Sequence, residues 1–470
     1  MDAHNLPRGM KFLAGLIIYF AVLIGLFEFL YGINPHLFID EKFHVLQAQR
    51  YCNGSFFEWD PKITTPPGLY LIAVGVLNPL GWILDKNLCT LHSFRLLNVF
   101  ALVIHVYLFK VILDIQIPQA KSRNAISAFS LGLFPIQFTF SFFFYSDAFS
   151  TLLILLSFTF YLKNWHIPAA VFGGCSVFLR QTNILWIFLM GFNTLANNLL
   201  KVLYPKPPSK DIICSASILK DFMRRLWMRM WVSSKKTTQK KSTPLSHVLL
   251  KIFLDLCGYV LIGISFLIFL YYNGGIVLGD KSAHAPVLHI PQWLYQTFII
   301  AFFLTPFVIT NFKSILMYMK ERLHFFIALL ILAVLALKFN SHVHPYLLAD
   351  NRHLSFYLWR RIFEPWNIFL APLYVFFVFA LHFLICHESF FFQITFYACS
   401  ILTVVPQKLF EFRYFVLPFY FLRLHLRRGS WITVLLELLG FLVVDMLWLF
   451  LYVTKSFDWA DETYPQRIIW

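Results

Sequence analysis

Long apolar runs recur from one end of this chain to the other, and they constrain the fold more than any single motif does. The first extends from Phe12 to about Tyr31, behind the basic residues Arg8 and Lys11. As a helix it is long enough to cross a bilayer, and it is too long for the apolar part of a cleaved signal peptide. Backbone groups in lipid must bond within their own segment, so such runs predict membrane-spanning helices.

The composition of the whole chain agrees with this interpretation. Of 470 residues, 59% are hydrophobic and only 13% are charged, which excludes an ordinary soluble domain. We therefore predict an all-α polytopic membrane protein with about 12 to 13 spans. The formal net charge is +16, but the Lys and Arg residues lie in short clusters between apolar runs. That pattern is typical of loops that orient spans, and we expect no nucleic-acid partner.

The basic residues also predict the orientation of the spans. The segment from Leu69 to Leu84 is short and is interrupted by Asn78, Pro79 and Gly81. If it does not cross and the N-terminus is cytosolic, the basic stretch from Tyr204 to His247 falls in the cytosol, as the positive-inside rule requires. We therefore expect the segment to lie along the membrane surface.

This topology divides the chain into three parts. Residues 1–203 form an N-terminal transmembrane module with a long first luminal loop, over about residues 32–92, that carries interfacial helices. Residues 204–247 form a basic cytosolic loop, and residues 248–470 form a C-terminal transmembrane module with luminal substrate loops. The basic loop has two interpretations: a contact with anionic lipid headgroups, or a solvated determinant of topology.

Polar residues cluster on the luminal side of this topology. The clusters are DEKFH from Asp40, RQTN from Arg180, the loop 273–275, ADNRH around Arg352, and EFRY around Arg413. Five clusters on one side predict a single luminal cavity. Arg180 is the most unusual member, because a charge beside Phe178 and Leu179 is costly unless it meets a carboxylate or an anion. Both an ion pair and a substrate phosphate satisfy that requirement.

The first luminal loop holds the candidate chemical groups. The adjacent carboxylates of Asp40 and Glu41 are suited to act as a general base. Gln47, Gln49 and Arg50 follow on the same segment and are suited to hold hydroxyls or a phosphate. Asp60 and Trp59 lie beside a turn-forming Thr-Thr-Pro-Pro-Gly run.

The cysteines and histidines do not indicate a metal site. Seven cysteines are scattered without metal-ligand spacing, and His342 and His344 have no convincing set of partners. Cys52 and Cys89 both fall in the first luminal loop, where they either pair or remain free thiols. Asn53 begins the sole N-glycosylation sequon, and its position inside the loop argues against occupancy.

Six strings carry a resemblance to a known family. They are DEKFHVLQAQRYC, WDPKITTPPGLY, FLRQTNILW, NGGIVLGDKSAH, YLLADNRHLSFYLWRR and VPQKLFEFRYF. In this order they resemble the eukaryotic dolichyl-phosphate-glucose alpha-1,2-glucosyltransferases, which add the third glucose to the lipid-linked oligosaccharide. The resemblance covers Asp40 to Phe415 and implies a GT-C-type transmembrane helical bundle in the endoplasmic reticulum membrane, with a luminal active site. The implied partners are dolichyl-phosphate-glucose, a dolichyl-diphosphate oligosaccharide and membrane lipids, with no cofactor and no metal.

The same resemblance implies an inverting single displacement. One carboxylate deprotonates the acceptor hydroxyl, and cations hold the departing phosphate. In the superfamily the base is an acidic residue just after the first span, which corresponds here to Asp40 or Glu41. Neighbouring side chains point in different directions, and we favour Asp40. Glu41 would then cap a helix or pair with Arg50 or Lys42.

The remaining assignments concern the two substrates. For the donor phosphate the candidates are Arg180, Arg352, Arg413, Lys408 and His353. For the acceptor sugars the candidates are Gln47, Gln49, Arg50, Trp59, Asp60 and Asn351. Arginine matches phosphate oxygens with its planar fork of donors. Asp350 and Glu411 are alternatively structural partners of the nearby arginines.

Two other functions remain as alternatives. One is another dolichyl-phosphate-sugar transferase of the same pathway, with a mannose donor or an earlier glucose. The other is a non-catalytic transporter or channel-associated membrane protein, for which polar residues at mid-membrane depth and similar halves are expected. In this sequence the polar residues cluster in loops and the two halves do not resemble each other.

Overall fold

The apolar runs fold into helices throughout the part of the chain that the computed structural model describes. That part comprises residues 8–204, 206, 208–232, 245–281, 285–426, 429–459 and 462–470. The predicted basic-loop residues Lys235, Lys236, Lys240 and Lys241 lie outside it. Eleven helices precede residue 233 in the described ranges: α1 Arg8–Ile33, α2 Glu41–Cys52, α3 Gly68–Leu84, α4 Leu91–Gln116, α5 Lys121–Gly132, α6 Pro135–Phe140, α7 Asp147–Leu162, α8 His166–Val177, α9 Ile184–Leu203, α10 Lys210–Ile213 and α11 Ser217–Val232.

The second half of the described chain also consists of helices joined by loops, with one small hairpin near its end. Its helices are α12 Leu245–Asn273, α13 Pro291–Phe303, α14 Thr305–Thr310, α15 Phe312–Glu321, α16 Leu323–Phe339, α17 Pro345–Ala349, α18 Leu354–Leu358, α19 Glu364–Trp366, α20 Ala371–Ile385, α21 Phe390–Val404, α22 Val416–Leu424 and α23 Trp431–Thr454. Strands β1 Ser456–Phe457 and β2 Gln466–Arg467 pair in an antiparallel register near the end of the chain.

The lengths of the helices confirm an all-α polytopic membrane protein. Within the described ranges, four helices are long and apolar enough to cross a membrane, and two bent helix pairs raise the count to six. The four are Gly9–Ile33, Leu91–Gln116, Leu249–Asn273 and Trp431–Thr454. Shorter apolar helices, such as α7, α8 and α21, lie among them. The larger count of 12 to 13 spans therefore stays a prediction.

The bundle interior is packed with aromatic rings. Phe134 stacks on Phe419 with ring centroids 3.8 Å apart, and Trp186 stacks on Phe421 at 4.6 Å. These contacts join α9 and the start of α6 to α22, so helices distant in sequence share one core. In a membrane the lipid is as apolar as the side chains, so close packing of this kind supplies much of the association energy.

The first loop leaves and re-enters the bundle at one face. His92, at the start of α4, bonds to Glu28 near the end of α1 at 2.9 Å, and Arg95 donates to the backbone oxygens of Asn34 and His36. The end of α1 and the start of α4 are therefore neighbours, and residues 34–90 form an excursion on a single face. Helix α3 lies within that excursion, in agreement with the prediction that its segment does not cross.

Contacts hold helix α3 at its first residue and just beyond its last. The backbone N–H of Gly68 donates to the carbonyl of Phe178 at 2.8 Å, and a Cβ at residue 68 would lie 2.4 Å from that oxygen. Glycine is therefore required for this close approach. Beyond the other end of α3, Cys89 forms a disulfide with Cys52 at the end of α2. Of the two alternatives for these cysteines, the structure has the paired one.

The C-terminal segment folds back over the first loop. Tyr464 donates from its hydroxyl to the backbone oxygen of Leu37, and Glu462 pairs with Lys42. Ile469 exchanges backbone hydrogen bonds of 2.7 Å with Arg352 and Leu354. The sequence showed no pattern here, yet this segment joins the first loop to the segment around Arg352.

Candidate active site

Asp40 and Glu41 stand at the junction between α1 and α2, and the backbone before them is unusual. Ile39 has φ of 51°, in the left-handed region that a β-branched residue rarely occupies. Such strain costs about 1 to 3 kcal/mol and is characteristic of functional sites. It turns the chain sharply into α2 and directs the two neighbouring carboxylates to different surroundings: the Asp40 side chain is 40% exposed, and that of Glu41 is 0% exposed.

Glu41 is a structural residue in this geometry, which corrects its place as an alternative base. Arg95 donates from Nε to Oε1 at 2.8 Å and from Nη2 to Oε2 at 2.6 Å. The backbone N–H groups of Phe38 and Phe144 donate to the same carboxylate at 3.0 and 2.7 Å. The expected partners, Arg50 and Lys42, are not the ones it meets. A carboxylate with four donors and no exposure has no face left for a substrate.

Asp40 instead faces a charged cluster centred on Arg413. The Nη2 atom of Arg413 lies 3.3 Å from Asp40 Oδ2, Nε lies 3.2 Å from Glu411 Oε1, and Nη1 lies 3.9 Å from Asp147 Oδ2. The ring of Tyr145 packs 4.9 Å from the guanidinium carbon. One arginine thus meets three carboxylates from separate segments of the chain, and its guanidinium is held in a fixed orientation.

Arg180 is the second cation of this cluster. It donates to Asp147 Oδ1 at 2.7 Å, and Asp147 itself is 2% exposed. Asp147 begins α7, while Arg180 lies in the turn between α8 and α9, so two helix ends meet here. The predicted alternatives were an ion pair and a phosphate contact, and the structure shows the ion pair. Arg180 and Arg413 both border one narrow cleft of about 20 Å³, room for roughly one water molecule.

The electrostatic surroundings keep Asp40 ionised. Burial raises the pKa of its carboxyl, but Arg413, His44 and His353 together outweigh that effect, and the net pKa is lowered from its usual value. Burial, together with Arg413, lowers the pKa of His44, despite the opposing charge of Asp40. The Nδ1 atom of His44 lies 2.7 Å from the Tyr70 hydroxyl.

The side chains of the ADNRH cluster contact other residues of the protein. Arg352 pairs with Asp350 at 2.7 Å, donates to Gln466 at 2.9 Å and stacks 4.0 Å from the Trp459 ring. The guanidinium of Arg352 is thus held by protein groups, and its role as a phosphate ligand stays a prediction. Asn351 likewise accepts from the indole N–H of Trp459 at 3.0 Å.

His353 stands between this cluster and the site. Its Nδ1 contacts the backbone oxygen of Trp470 at 3.0 Å, and its Nε2 lies 3.8 Å from Asp350. It is also one of the groups that lower the pKa of Asp40. His353 therefore influences the candidate base from a fixed position, although its nearest partners belong to the protein.

The acceptor candidates of the first loop divide into two groups. Gln47 is fully buried, donates to the backbone oxygen of Glu58 at 2.6 Å and accepts from the N–H of Asp60 at 3.0 Å. Its amide holds the loop together, which corrects the sugar-binding prediction. The others are half-buried and stay candidates: Gln49, Arg50, Trp59 and Asp60. The same applies to Lys408, the remaining phosphate candidate.

The five polar clusters do converge, as predicted. Asp40 meets Arg413, Asp147 joins Arg413 to Arg180, and the backbone oxygen of Thr64 accepts from both Gln181 and Leu278. Through Thr64 the first loop contacts the segment after the 273–275 loop. The ADNRH cluster is linked to the first loop through the C-terminal segment. These contacts link the five clusters, and we call the surface that they form the site face; a single luminal cavity stays a prediction.

Sequence reasoning missed Asp147, Arg95 and the C-terminal segment. A signal existed for Asp147, because it is the sole acidic residue between Asp114 and Asp211 and lies in a strongly apolar stretch. A carboxylate there must meet a partner. Arg95 offered the same signal inside the apolar helix α4. For the C-terminal segment no motif was available.

No metal site emerges from the described residues. Among them, no group of three or more His, Cys, Asp or Glu side chains is placed to hold a metal ion. The three carboxylates around Arg413 are instead compensated by arginines. Metal-independent chemistry and the absence of a cofactor stay predictions.

The helical bundle and its charged site define a class: a polytopic membrane protein whose loops assemble a carboxylate and two arginines at one face. The family model that matches is the DIE2/ALG10 family, over residues 34–424. That range is most of the chain and includes Asp40, Asp147, Arg180 and Arg413. The chain belongs to the DIE2/ALG10 family.

Curated relatives are similar over nearly the whole length. The proteins from Rattus norvegicus and Homo sapiens are each 34% identical, with 98% of this chain and 99% of theirs covered. One from Drosophila melanogaster is 34% identical over 92% of this chain and 93% of its own. Each is named Dol-P-Glc:Glc(2)Man(9)GlcNAc(2)-PP-Dol alpha-1,2-glucosyltransferase. No solved structure matches. By family, therefore, the chain is a glucosyltransferase.

Proposed function

We propose that this chain transfers glucose from dolichyl-phosphate-glucose, with inversion, to the 2-hydroxyl of the terminal glucose of a twice-glucosylated dolichyl-diphosphate oligosaccharide. The product carries the third glucose. The names and nearly full-length similarity of the relatives support the choice of substrates. The observation in the structure that carries the proposal is Asp40, a partly exposed carboxylate 3.3 Å from Arg413.

Asp40 is the base in this proposal. It accepts the proton of the acceptor 2-hydroxyl while that oxygen forms a bond to the anomeric carbon of the donor glucose. The bond from the anomeric carbon to the phosphate oxygen breaks at the same time, and dolichyl phosphate leaves with the electron pair. General-base assistance of this kind contributes about 10²- to 10⁴-fold to a rate. Because the pKa of Asp40 is lowered, the carboxylate is already ionised at neutral pH.

Arg413 and Arg180 receive the leaving phosphate. Both approach Asp147, and both are oriented in advance by carboxylates. Preorganised cations stabilise developing negative charge more effectively than water does, because they need no reorientation during the reaction. Arginine also offers several N–H donors, so a guanidinium held by Glu411 or Asp147 retains donors for a phosphate oxygen.

The rest of the proposal concerns location. We place the protein in the endoplasmic reticulum membrane as a GT-C-type enzyme with a cytosolic N-terminus and the site face toward the lumen. The short loop between α1 and α2, which carries Asp40, then lies at the luminal membrane surface. Half-buried first-loop residues such as Trp59 and Gln49 are the sugar-binding candidates on this face.

The test is transfer by the purified full-length chain in lipid nanodiscs. Labelled dolichyl-phosphate-glucose is supplied with a twice-glucosylated lipid-linked acceptor, and labelled dolichyl-phosphate-mannose serves as the matched donor control. We expect transfer of glucose and not of mannose, and release of the added residue by an alpha-1,2-specific glucosidase. Transfer of mannose, or transfer of glucose to an unglucosylated acceptor in preference, would contradict the proposed substrates.

A further inference from the structure

A second cleft lies at the far end of the helices that carry the candidate active site. It is lined by Tyr161 at the end of α7, His166 at the start of α8 and Lys201 near the end of α9. Asp147 begins α7, so at 1.5 Å per residue the cleft lies about 21 Å from the site along that helix. It therefore opens at the opposite face, which we call the basic face.

The cleft has room for a ligand and polar groups to hold one. Its volume is about 630 Å³, within the range of small-molecule sites. Inside the described ranges, no hydrogen bond or ion pair engages the side chains of Asn164, Asn197 or Lys201, although all three are exposed at the cleft. Two amides and one ammonium group are thus available on its wall.

Other polar groups of the cleft are already committed, and they shape it. Asn198 donates to Asp255 at 2.9 Å, and the hydroxyl of Tyr204 donates to Asp221 at 2.8 Å. Asp221 also accepts from Arg224 and Arg225, each at 2.7 Å. The carboxylate of Asp221 is therefore compensated by two arginines, and that of Asp255 accepts from Asn198, so neither carboxylate is paired with Lys201.

The chain around the cleft is strongly basic. Between residues 201 and 232 the sequence has seven Lys and Arg residues and two Asp residues, an excess of five positive charges. Lys206 and Lys210 are exposed, and they lie in sequence among the cleft residues Tyr204, Pro208 and Ile213. A surface of this charge attracts anions, and beside a membrane the abundant anions are lipid headgroups.

Helix α11 carries much of this charge and has the residue distribution of an interfacial helix. Its inner side packs Ile218 and Phe222 against Tyr204, which itself lines the cleft. Its outer side combines apolar and basic residues, with Met223 55% exposed and Lys220 and Arg224 also exposed. A helix with this distribution lies in the interface between headgroups and acyl chains.

We propose that the cleft is a binding site for the headgroup of an anionic phospholipid of the phosphatidylinositol type, from the leaflet at the basic face. One phosphodiester charge matches Lys201. The ring hydroxyls of inositol match the free amides of Asn164 and Asn197, which both donate and accept. This site is separate from the transfer reaction and does not depend on the proposed substrates.

Binding is measured with the full-length chain in phosphatidylcholine nanodiscs. Dioctanoyl-phosphatidylinositol is titrated and compared with dioctanoyl-phosphatidylcholine, dioctanoyl-phosphatidylserine and soluble glycerophosphoinositol. The variants are Lys201→Glu and Asn197→Ala. Lys313→Glu, another exposed lysine, on α15 and outside the cleft, is the matched control. Glucose transfer by each variant reports that the bundle is folded.

We expect saturable binding of dioctanoyl-phosphatidylinositol. Lys201→Glu should weaken this binding about tenfold or more, because a charge-assisted contact is lost. Lys313→Glu should leave it unchanged. Asn197→Ala should weaken binding by a smaller factor. Equal binding of phosphatidylcholine, or no effect of Lys201→Glu, would overturn the proposal. Preference for phosphatidylserine would overturn the inositol assignment. Binding of soluble glycerophosphoinositol as tight as that of the lipid would identify a soluble phosphodiester, rather than a membrane lipid, as the ligand and would overturn the proposal.

Discussion

At the scale of single residues, two adjacent carboxylates have opposite environments. Glu41 is enclosed by Arg95 and two backbone N–H groups, whereas Asp40 is 40% exposed beside Arg413. The sequence identified the pair and favoured Asp40, but the physical reason for the difference between them is visible only in the folded structure. That reason is the left-handed backbone of Ile39, together with Arg95, which lies 54 residues away from Glu41.

Removing the charge of Glu41 should destabilise the protein. Glu41→Gln leaves the guanidinium of Arg95, which is 2% exposed, without a counter-charge. Breaking a buried ion pair from one side costs about 3 to 5 kcal/mol. We expect a clearly lower melting temperature in detergent. Glu321→Gln, at an ion pair whose carboxylate is 70% exposed, is the control and should melt as wild type does. Equal melting of the two variants would contradict the structural role of Glu41.

The pH at which kcat/KM falls on the acidic side should depend on Arg413. In the proposed mechanism the ionised carboxylate of Asp40 is the active form. Burial raises the pKa of this carboxyl, but the net pKa is lowered, and Arg413 contributes the largest lowering. Activity should therefore persist as pH falls and be lost only below the ordinary Asp range. Arg413→Gln removes that contribution, so the pKa of Asp40 rises and the acidic limb of kcat/KM moves to higher pH. Lys313→Gln is the control, and a limb that moves to lower pH would contradict the assignment.

At the scale of elements, the first loop is the part that the sequence predicted best. The charge pattern implied that the segment around α3 does not cross, and the contacts between the end of α1 and the start of α4 agree. The pairing of Cys52 with Cys89 was left open, because a disulfide depends on the folded distance between cysteines rather than on spacing. The position of Gly68 against Phe178 was likewise invisible without the fold.

The disulfide should contribute measurably to the stability of this loop. It joins residues 37 apart in sequence, and loop-closure entropy for that length corresponds to about 3 to 4 kcal/mol. We expect Cys89→Ser to lower the melting temperature and to make residues 53–88 more susceptible to limited proteolysis. Cys175→Ser, at an exposed free cysteine, is the control. An unchanged proteolysis pattern in Cys89→Ser would contradict the pairing.

At the scale of the whole molecule, the C-terminal segment completes the site face. Trp459 and Gln466 hold Arg352, Glu462 pairs with Lys42, and the Trp470 backbone holds His353. The sequence could predict the helices, because apolar runs report directly on the membrane. It could not predict this closure, because the segment is polar, short and without motif, and its partners lie more than one hundred residues away.

Removal of residues 455–470 should reduce glucose transfer by about 10²-fold or more, since positioning errors of about 1 Å carry costs of that size. The deletion begins after α23, so membrane insertion of the bundle should be retained. Asp458→Asn, at an exposed position within the same segment, should transfer glucose normally. Wild-type transfer by the deleted chain, measured at matched expression, would show that the segment has no part in the site.

If Asp40 is the base of the glucose transfer, its replacement by asparagine should slow the transfer step itself. Asp40→Asn is compared with wild type for single-turnover transfer of labelled glucose from dolichyl-phosphate-glucose, at saturating acceptor and with equal amounts of correctly folded protein. Asparagine keeps the size of the side chain and removes the proton acceptor. We predict a rate at least about 10²-fold lower with unchanged donor binding. Transfer by Asp40→Asn at the wild-type rate would show that Asp40 is not the base.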